Sequence, residues 1–492
     1  MKPRPQCWPA LSLALAVLLI GAACSRTDIA PAERPNFIII FTDDQGYGDL
    51  GIFGARDFAT PNIDQLAREG MVFTDFYAQP VCGPSRAALL TGCYPTRVAE
   101  YGNEKRPFPY VHERETLLPQ VLQEAGYATG MIGKLDITQR IAGFRPELNP
   151  VRRGFDFWFG VPGANDAGYV GMLHRDEQVI EEKVGLENLT DRYTAEALGF
   201  IRRNQERPFF LYLAHTMPHV VLAVSEPFRG RSRRGLYGDV IEELDDSTGR
   251  IVRLLRELGL DRKTIVVYTS DNGPWNNHPK YRDQLRENAG DAGPLRGGKG
   301  STWEGGIRVP CVMWGPGYVA AGRRTSEVAT TMDLLPSFIE LAGARLPADR
   351  TIDGRSIVPL MRGETGARSP HEAFFYYFEH HLQAVRSGRW KLVFPRPARA
   401  ETPWLEGRTI VGRFFEGAAF DAVTELELYD LETDIGETRN VAAGHPDIVS
   451  RLQALAGEAR AELGDYDRVG AGVRFFEDGP RWPNRAEWFR KE

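Results

Sequence analysis

The stretch "NFIIIFTDDQGYGDLG", Asn36 to Gly51, sets the fold class. Its apolar run is β-branched and uninterrupted, with none of the alternation that marks a strand with one wet face, so it reads as a strand buried on both sides, as in a parallel sheet. Two aspartates, Asp43 and Asp44, follow at once in a glycine-rich loop. A second run of the same kind, "KTIVVY" (Lys263 to Tyr268), is followed by "TSDNGPW" with Asp271 and Asn272, and "RPFFLYLAHTMPH" (Arg207 to His219) carries a further strand. Between them, apolar residues recur at helical spacing over Asn62–Gly70, Leu117–Ala125, Thr194–Asn204 and Tyr237–Leu258. This alternation predicts an α/β fold with a large, mostly parallel (mixed) sheet flanked by helices, its ligands held beyond the carboxyl ends of the strands.

After Pro347 the texture changes. "EAFFYYF", "LQAVRSGRWKLVF" and "TELELYDL" read as short antiparallel strands, and His445 to Leu463 as an amphipathic helix. The expected organisation is a signal peptide over 1–24, a catalytic α/β domain over 35–347, and a smaller C-terminal α+β domain over 348–492 with a short antiparallel sheet.

The bulk numbers exclude some functions. Lys+Arg 60 against Asp+Glu 66 gives a net charge of -6, so no global basic field recruits nucleic acid, and an anionic substrate must be held by local cations. The first 24 residues have a basic start (Lys2, Arg4), an apolar run from Leu11 to Ile20 and small residues before Cys24, the pattern of a secretory signal. Small residues before that cysteine also resemble a bacterial lipoprotein signal. The expectation is an exported protein, periplasmic or a cell-surface lipoprotein of a bacterium, meeting a membrane only through a lipid on Cys24. Cys82, Cys93 and Cys311 form no disulfide framework; Cys93 and Cys311 read as small buried hydrophobes.

If the strands carrying "FTDDQG" and "TSDNG" are neighbours, Asp43, Asp44, Asp271 and Asn272 converge. Crowded carboxylates repel unless a cation lies among them, and an all-oxygen set suits a hard ion such as Ca²⁺ or Mg²⁺. For either pair alone, turn and capping roles account for the residues as well. Cys82, in "VCGPSRAALLTG" (Val81 to Gly92), precedes a helix expected to begin near Pro84, whose terminus favours a thiolate or an oxygen nucleophile in its place.

The stretch "CGPSRAALLTG" resembles the signature of the formylglycine-dependent (type I) sulfatases, of the alkaline phosphatase superfamily. "TPNIDQLAREGMVFTDFY", "GYATGMIGK", "GGKGSTWEGGIRVP", "AVRSGRWKL" and "LYDLETDIGETRNVA" resemble sulfatase segments in sulfatase order, from about Asn36 to about Leu452. The resemblance implies an arylsulfatase-like sulfuric ester hydrolase. Cys82 would be oxidised by a formylglycine-generating maturation enzyme, and the hydrated aldehyde would attack the sulfur of a sulfate ester beside one Ca²⁺ per chain. It further implies Asp43, Asp44, Asp271, Asn272 and residue 82 as metal ligands. Arg86 would hold the modified side chain, Lys134 and Lys299 would clamp sulfate, and His219 would hydrogen-bond sulfate or protonate the leaving oxygen. One position departs from the family: "GKLD" puts Asp136 where histidine is usual, which makes Asp136 a candidate base whose charge would repel sulfate unless Arg86 or a lysine neutralises it. Asn165 and Asp166 in "GANDAG" are weaker pocket candidates. The expected substrate is a sulfated carbohydrate or small molecule, its leaving-group side shaped by "EHH" (Glu379 to His381) and by basic loops near Arg231 to Arg234. A phosphodiesterase or phosphonate monoester hydrolase on the same fold, and a glycan-binding homologue with a weakened site, are the alternatives.

Overall fold

In the computed structural model, strand β1 (Asn36–Thr42) is buried along its whole length, as its unbroken apolar run requires. The structure describes Met1 and residues 34–98, 111–137, 146–276 except 164, 166 and 167, 289–396 except 379, 422–465, and 468–474. The other strands of the main sheet are β2 (Met71–Tyr77), β3 (Ala128–Lys134), β4 (Phe157–Val161), β5 (Tyr169–Arg175), β6 (Gln178–Gly185), β7 (Phe209–Ala214), β8 (Thr264–Ser270), β9 (Arg308–Trp314), β10 (Arg323–Thr325) and β11 (Ala329–Thr330). They lie in the order β10-β2-β9-β8-β1-β7-β3-β4-β5-β6, with β11 also on β2. The centre, β8-β1-β7-β3-β4, is parallel, while β9 and the β5–β6 hairpin run antiparallel, so the sheet is mixed around a parallel middle.

Successive side chains of β1 point to opposite faces, and each face meets its own helices. Ile38 and Ile40 join Leu211, Leu213 and Val266 in a core shared with α1 (Pro61–Glu69), α4 (Leu189–Arg203) and α5 (Leu236–Glu257); Phe37, Ile39 and Phe41 pack on the other side with α2 (Cys82–Thr91), α3 (Leu118–Glu124) and α6 (Leu334–Leu341). Helix α4 starts five residues before the Thr194 that sequence spacing suggests, because Leu189 and Tyr193 also face the core. Helix α2 begins at Cys82 and not near Pro84, with Val81 extended as its cap. At Gly133 the backbone has φ +102, and a Cβ there would lie 1.8 Å from the Ala214 carbonyl oxygen, so only glycine lets β3 approach β7 this closely just before Lys134. Cys82, Cys93 and Cys311 are buried free thiols. Among the described residues no helix is long and apolar enough to cross a membrane.

A second antiparallel sheet, β12 (Phe374–Phe378), β13 (His381–Ser387), β14 (Trp390–Val393) and β15 (Glu427–Asp430), is backed by α7 (Pro446–Leu463). Its seam with the main sheet is ionic. Glu304 accepts hydrogen bonds from Tyr77 (2.6 Å) and Tyr376 (2.8 Å), and its carboxylate lies 3.0 Å from Lys391, which also reaches Glu437 at 2.7 Å. Asp75 of β2 holds Arg308 at 2.9 Å and Arg386 at 2.7 Å.

Candidate active site

The register of two strands brings the acidic pairs together. Thr42 of β1 stands opposite Ser270 of β8, and the ladder continues one step further, with the Asp271 amide donating to the Thr42 carbonyl at 3.1 Å. The Asp44 amide then donates to Asp271 Oδ1 (3.0 Å), and Asn272 Nδ2 to Asp44 Oδ1 (2.7 Å). All four residues are buried. Asn272 uses its amide nitrogen on Asp44 and on the Gly273 carbonyl, while its Oδ1 is buried without a hydrogen-bond partner. A buried carbonyl oxygen left over beside three carboxylates is what an oxygen-coordinated hard cation needs.

Cys82 opens α2 with Sγ 3.2 Å from Asp43 Oδ1 and 3.8 Å from Asp44 Oδ1. The helix terminus does not win here. Burial, reinforced by the charges of Asp271 and Asp43, pushes the thiol far above its ordinary pKa. As a thiol, this side chain stays protonated and is a poor nucleophile.

Cations close the other side. Arg86, one turn after Cys82, lies over the Phe41 ring and puts Nη2 2.7 Å from Asp271 Oδ2 and 3.7 Å from Asp43; Nη1 donates to the Lys134 carbonyl at 3.0 Å. Lys134 Nζ is 2.6 Å from Asp43 Oδ2, and Lys299 Nζ is 2.8 Å from Asp44. Burial opposes both ammonium charges, but the facing aspartates outweigh it and raise both pKa values. Burial likewise works against the Asp43 carboxylate, yet Lys134, His219 and Arg86 hold its pKa well below the usual range. Asp271 goes the other way, lifted to about 7 by burial and by the Asp43 charge.

His219 follows β7 after the cis Met217–Pro218 bond and precedes a second cis bond, Val220–Val221. Its Nδ1 faces the Val220 carbonyl, an acceptor only, so Nδ1 carries a proton and Nε2 looks towards Asp44 Oδ2 at 3.6 Å. Sγ of Cys82, a ring nitrogen of His219 and one carboxylate oxygen each of Asp43 and Asp44 all fall within 4.8 Å of one another. These groups sit at the carboxyl ends of the adjacent strands β8, β1, β7 and β3, where a parallel sheet offers its ligand crevice.

Asp136 is buried in a left-handed conformation (φ +49), and its Oδ2 lies 3.4 Å from Lys134 Nζ, a charge it shares with the nearer Asp43 at 2.6 Å. Its carbonyl oxygen is 3.0 Å from the point where a Cβ on Gly83 would be, which seats the "GKLD" turn directly over the residue after Cys82. Asn165 is buried and donates to the carbonyls of His219 (3.4 Å) and Val221 (3.2 Å), holding the histidine loop from behind. Asp166 and Glu379 lie outside the described residues. Arg231 and Arg233 are exposed, and Arg234 donates to the Ala289 carbonyl. Trp275 escapes sequence reading: it lies against both His219 and Lys299, and its only signal is its place just after "SDNGP".

Fold and site together define an α/β protein with a buried cluster of acidic, thiol and imidazole groups at its strand ends that could hold a metal ion. The chain belongs to the sulfatase family: the Sulfatase family model matches residues 35–344, and a model described as the C-terminal region of aryl-sulfatase matches 369–474. It is similar to the N-acetylgalactosamine-6-sulfatase of Canis lupus familiaris, 38% identical over 405 residues, covering 77% of this chain and 75% of that one. The steryl-sulfatase of Mus musculus is 33% identical, with 94% and 88% covered. A solved sulfatase structure from Bacteroides thetaiotaomicron, described with the metabolism of multiple glycosaminoglycans, superposes with a TM-score of 0.75 at 27% identity, covering 87% of this chain and 100% of that one. The chain is therefore a sulfatase with relatives that act on sulfated carbohydrate. Both curated relatives are mammalian, and mammalian cells have no periplasm or outer membrane, so the expected placement as a bacterial periplasmic or cell-surface lipoprotein is withdrawn. Residues 2–24, with Cys24, lie outside the described residues.

Proposed function

We propose that this sulfatase releases inorganic sulfate from a sulfated carbohydrate, with a formylglycine made from Cys82 as nucleophile and one Ca²⁺ held by Asp43, Asp44, Asp271, Asn272 and residue 82. The observation that carries this reading is the convergence of those oxygens on Cys82, with Asn272 Oδ1 buried and unpartnered. When bound, the cation supplies Lewis acidity at the nucleophile and the sulfate oxygens.

The chain's own residues do the rest. Lys134 and Lys299 clamp the anionic oxygens, fixed charges that need no reorganisation as the S–O bond breaks. His219, as the imidazolium with protons on both nitrogens, protonates the departing oxygen from Nε2 and keeps the Nδ1 proton on the Val220 carbonyl. Arg86 anchors Asp271 and the base of the nucleophile helix. Asp136, paired with Lys134, accepts the proton that the usual histidine would take. Four carboxylates (Asp43, Asp44, Asp136, Asp271) face three fixed cations (Arg86, Lys134, Lys299) and the imidazolium of His219, so a divalent ion makes the pocket net positive, as a sulfate monoester requires. On the same reading, residues 35–347 are the catalytic part and 348–492 the smaller part, and the partners are the sulfated substrate and a maturation enzyme acting on Cys82.

The test is sulfate release from sulfated mono-, oligo- and polysaccharides and an aryl sulfate, beside Cys82→Ala, with the mass of the peptide holding residue 82. The expected result is release by wild type alone, with the CH₂–SH of Cys82 replaced by an aldehyde. Release from phosphonate monoesters and from no sulfate ester would reject the substrate class, and full activity with an unmodified thiol would reject the nucleophile.

A further inference from the structure

We infer that Trp275 is a positioning residue that couples the sulfate clamp to the proton donor; the inference rests on the roles proposed above for Lys299 and His219. Trp275 follows Asn272 by three residues and is 6% exposed. Its indole meets two functional side chains. Lys299 Nζ sits over the ring at 4.3 Å from its centroid, a cation–π contact. The imidazole of His219 stands against it at 5.3 Å between centroids and 70° between planes, an edge-on pairing.

Each partner needs that support. A lysine is a point charge on a four-carbon stem, and among the described residues its one salt bridge, to both oxygens of Asp44 at 2.8 Å, holds the ammonium from the carboxylate side only. The indole face supplies a second fixed point, and the Lys299 amide, bonded to the Pro274 carbonyl at 2.9 Å, locks the two loops together. His219 is held at Nδ1 by Val220, and the indole blocks rotation of the ring away from Asp44. One side chain therefore sets two atoms that must meet the same substrate, one at a sulfate oxygen and one at the leaving oxygen. Trp275 also packs against the apolar core beneath the crevice, so a purely structural role is the alternative that the experiment must separate.

The experiment uses full-length protein carrying the converted residue 82. Trp275→Phe, Trp275→Leu, Lys299→Ala and His219→Ala are assayed on two substrates: an aryl sulfate with a nitrophenolate leaving group, which needs no proton, and a sulfated monosaccharide with an alkoxide leaving group, which does. Lys299→Ala is expected to raise KM on both, and His219→Ala to lower kcat mainly on the sugar. Trp275→Leu is expected to do both, losing on the order of tenfold in kcat/KM on the aryl sulfate through KM and on the order of tenfold more on the sugar through kcat. Trp275→Phe, which keeps a weaker aromatic face, should recover part of each loss.

A Trp275→Leu that lowers both substrates equally, or neither, while Lys299→Ala and His219→Ala show their separate defects, overturns the inference. Unchanged kinetics in Lys299→Ala and His219→Ala would instead remove the underlying roles, and the inference with them. Should Trp275→Leu fail to fold, the ratio of the two substrates in Trp275→Phe decides.

Discussion

Asp43, Asp44, Asp271, Arg86, Lys134 and Lys299 at the crevice, and Asp75, Glu304, Glu437, Arg308, Arg386 and Lys391 at the seam between the sheets, are two buried clusters of the same side-chain types. They differ in how their charges are answered. At the seam three carboxylates face three cations, and tyrosine hydroxyls fill out the Glu304 carboxylate. Lys391, Arg308 and Arg386 overcome the burial of Glu304 and hold its pKa near about 2. At the crevice, with Asp136 counted, carboxylates outnumber fixed cations, and Asn272 Oδ1 and Arg86 Nε have no hydrogen-bond partner; a raised carboxylate does not separate the two, since burial lifts both Asp271 here and Glu437 at the seam to about 7. Buried polar groups that satisfy one another hold a structure together, whereas groups left in want of a partner are poised for a ligand. The same chemistry serves as a weld in one place and as a site in the other.

The strongest way to break this contrast is Cys82→Ala. Turnover on any sulfate ester should fall by about 10³-fold or more, with the melting temperature close to wild type, because the crevice is organised for chemistry. A large loss of stability with activity kept would reverse the assignment of the two clusters. Lys391→Ala tests the other half: leaving Glu437 buried without its cation, and Glu304 with only Arg308 and Arg386, should cost about 3–5 kcal/mol in urea unfolding, while kcat per folded molecule changes little. Asn272→Ala sharpens the reading of the crevice. Calcium affinity by titration calorimetry should drop at least about tenfold, and added Ca²⁺ should stabilise the variant less than wild type; an unaltered affinity would remove Asn272 from the ligand set.

The smallest effect belongs to Glu437, lifted to about 7 by burial, against the pull of Lys391 and with the Glu304 charge pushing the same way. A glutamate in the unfolded chain titrates near ~4.3. Between about pH 4.5 and about 7 the folded chain therefore holds a proton that the unfolded chain has lost. This share of stability is present below the window and is lost as pH rises through it. Glu437→Gln should flatten the dependence of melting temperature on pH across that window, and an unchanged slope would assign the titration elsewhere.

Much of this was legible in the chain. The unbroken run before Asp43 and its counterpart before Asp271 announce buried parallel strands because strands wet on neither face need no alternation. Their loops were readable as one site because equivalent positions after two neighbouring strands fall side by side, as the Thr42–Ser270 register shows. Cys82, Arg86, Lys134, His219 and Lys299 came through motif resemblance, and the structure gathers all five around the acidic pairs. What could not be read was who answers whom. Nothing local in "TWEGG", "VRSGRWKL" or "GETRN" says that Glu304, Lys391 and Glu437 meet, since their contacts span up to 133 residues. Nor could the sequence show that Asp43 and Asp136 share Lys134, or that Trp275 touches two functional side chains.

By itself, then, the sequence determined the fold class, the family and the residues at the strand ends, because those follow from periodicity and from short motifs whose spacing is local. Only the tertiary structure decided the protonation of Cys82, the unpartnered oxygen of Asn272, the start of the nucleophile's helix and the division of buried charge into a weld and a site. Those depend on burial and on electrostatic partners a few ångströms away in space, and Coulomb energy in a dry interior is set by distance through the fold and not by distance along the chain.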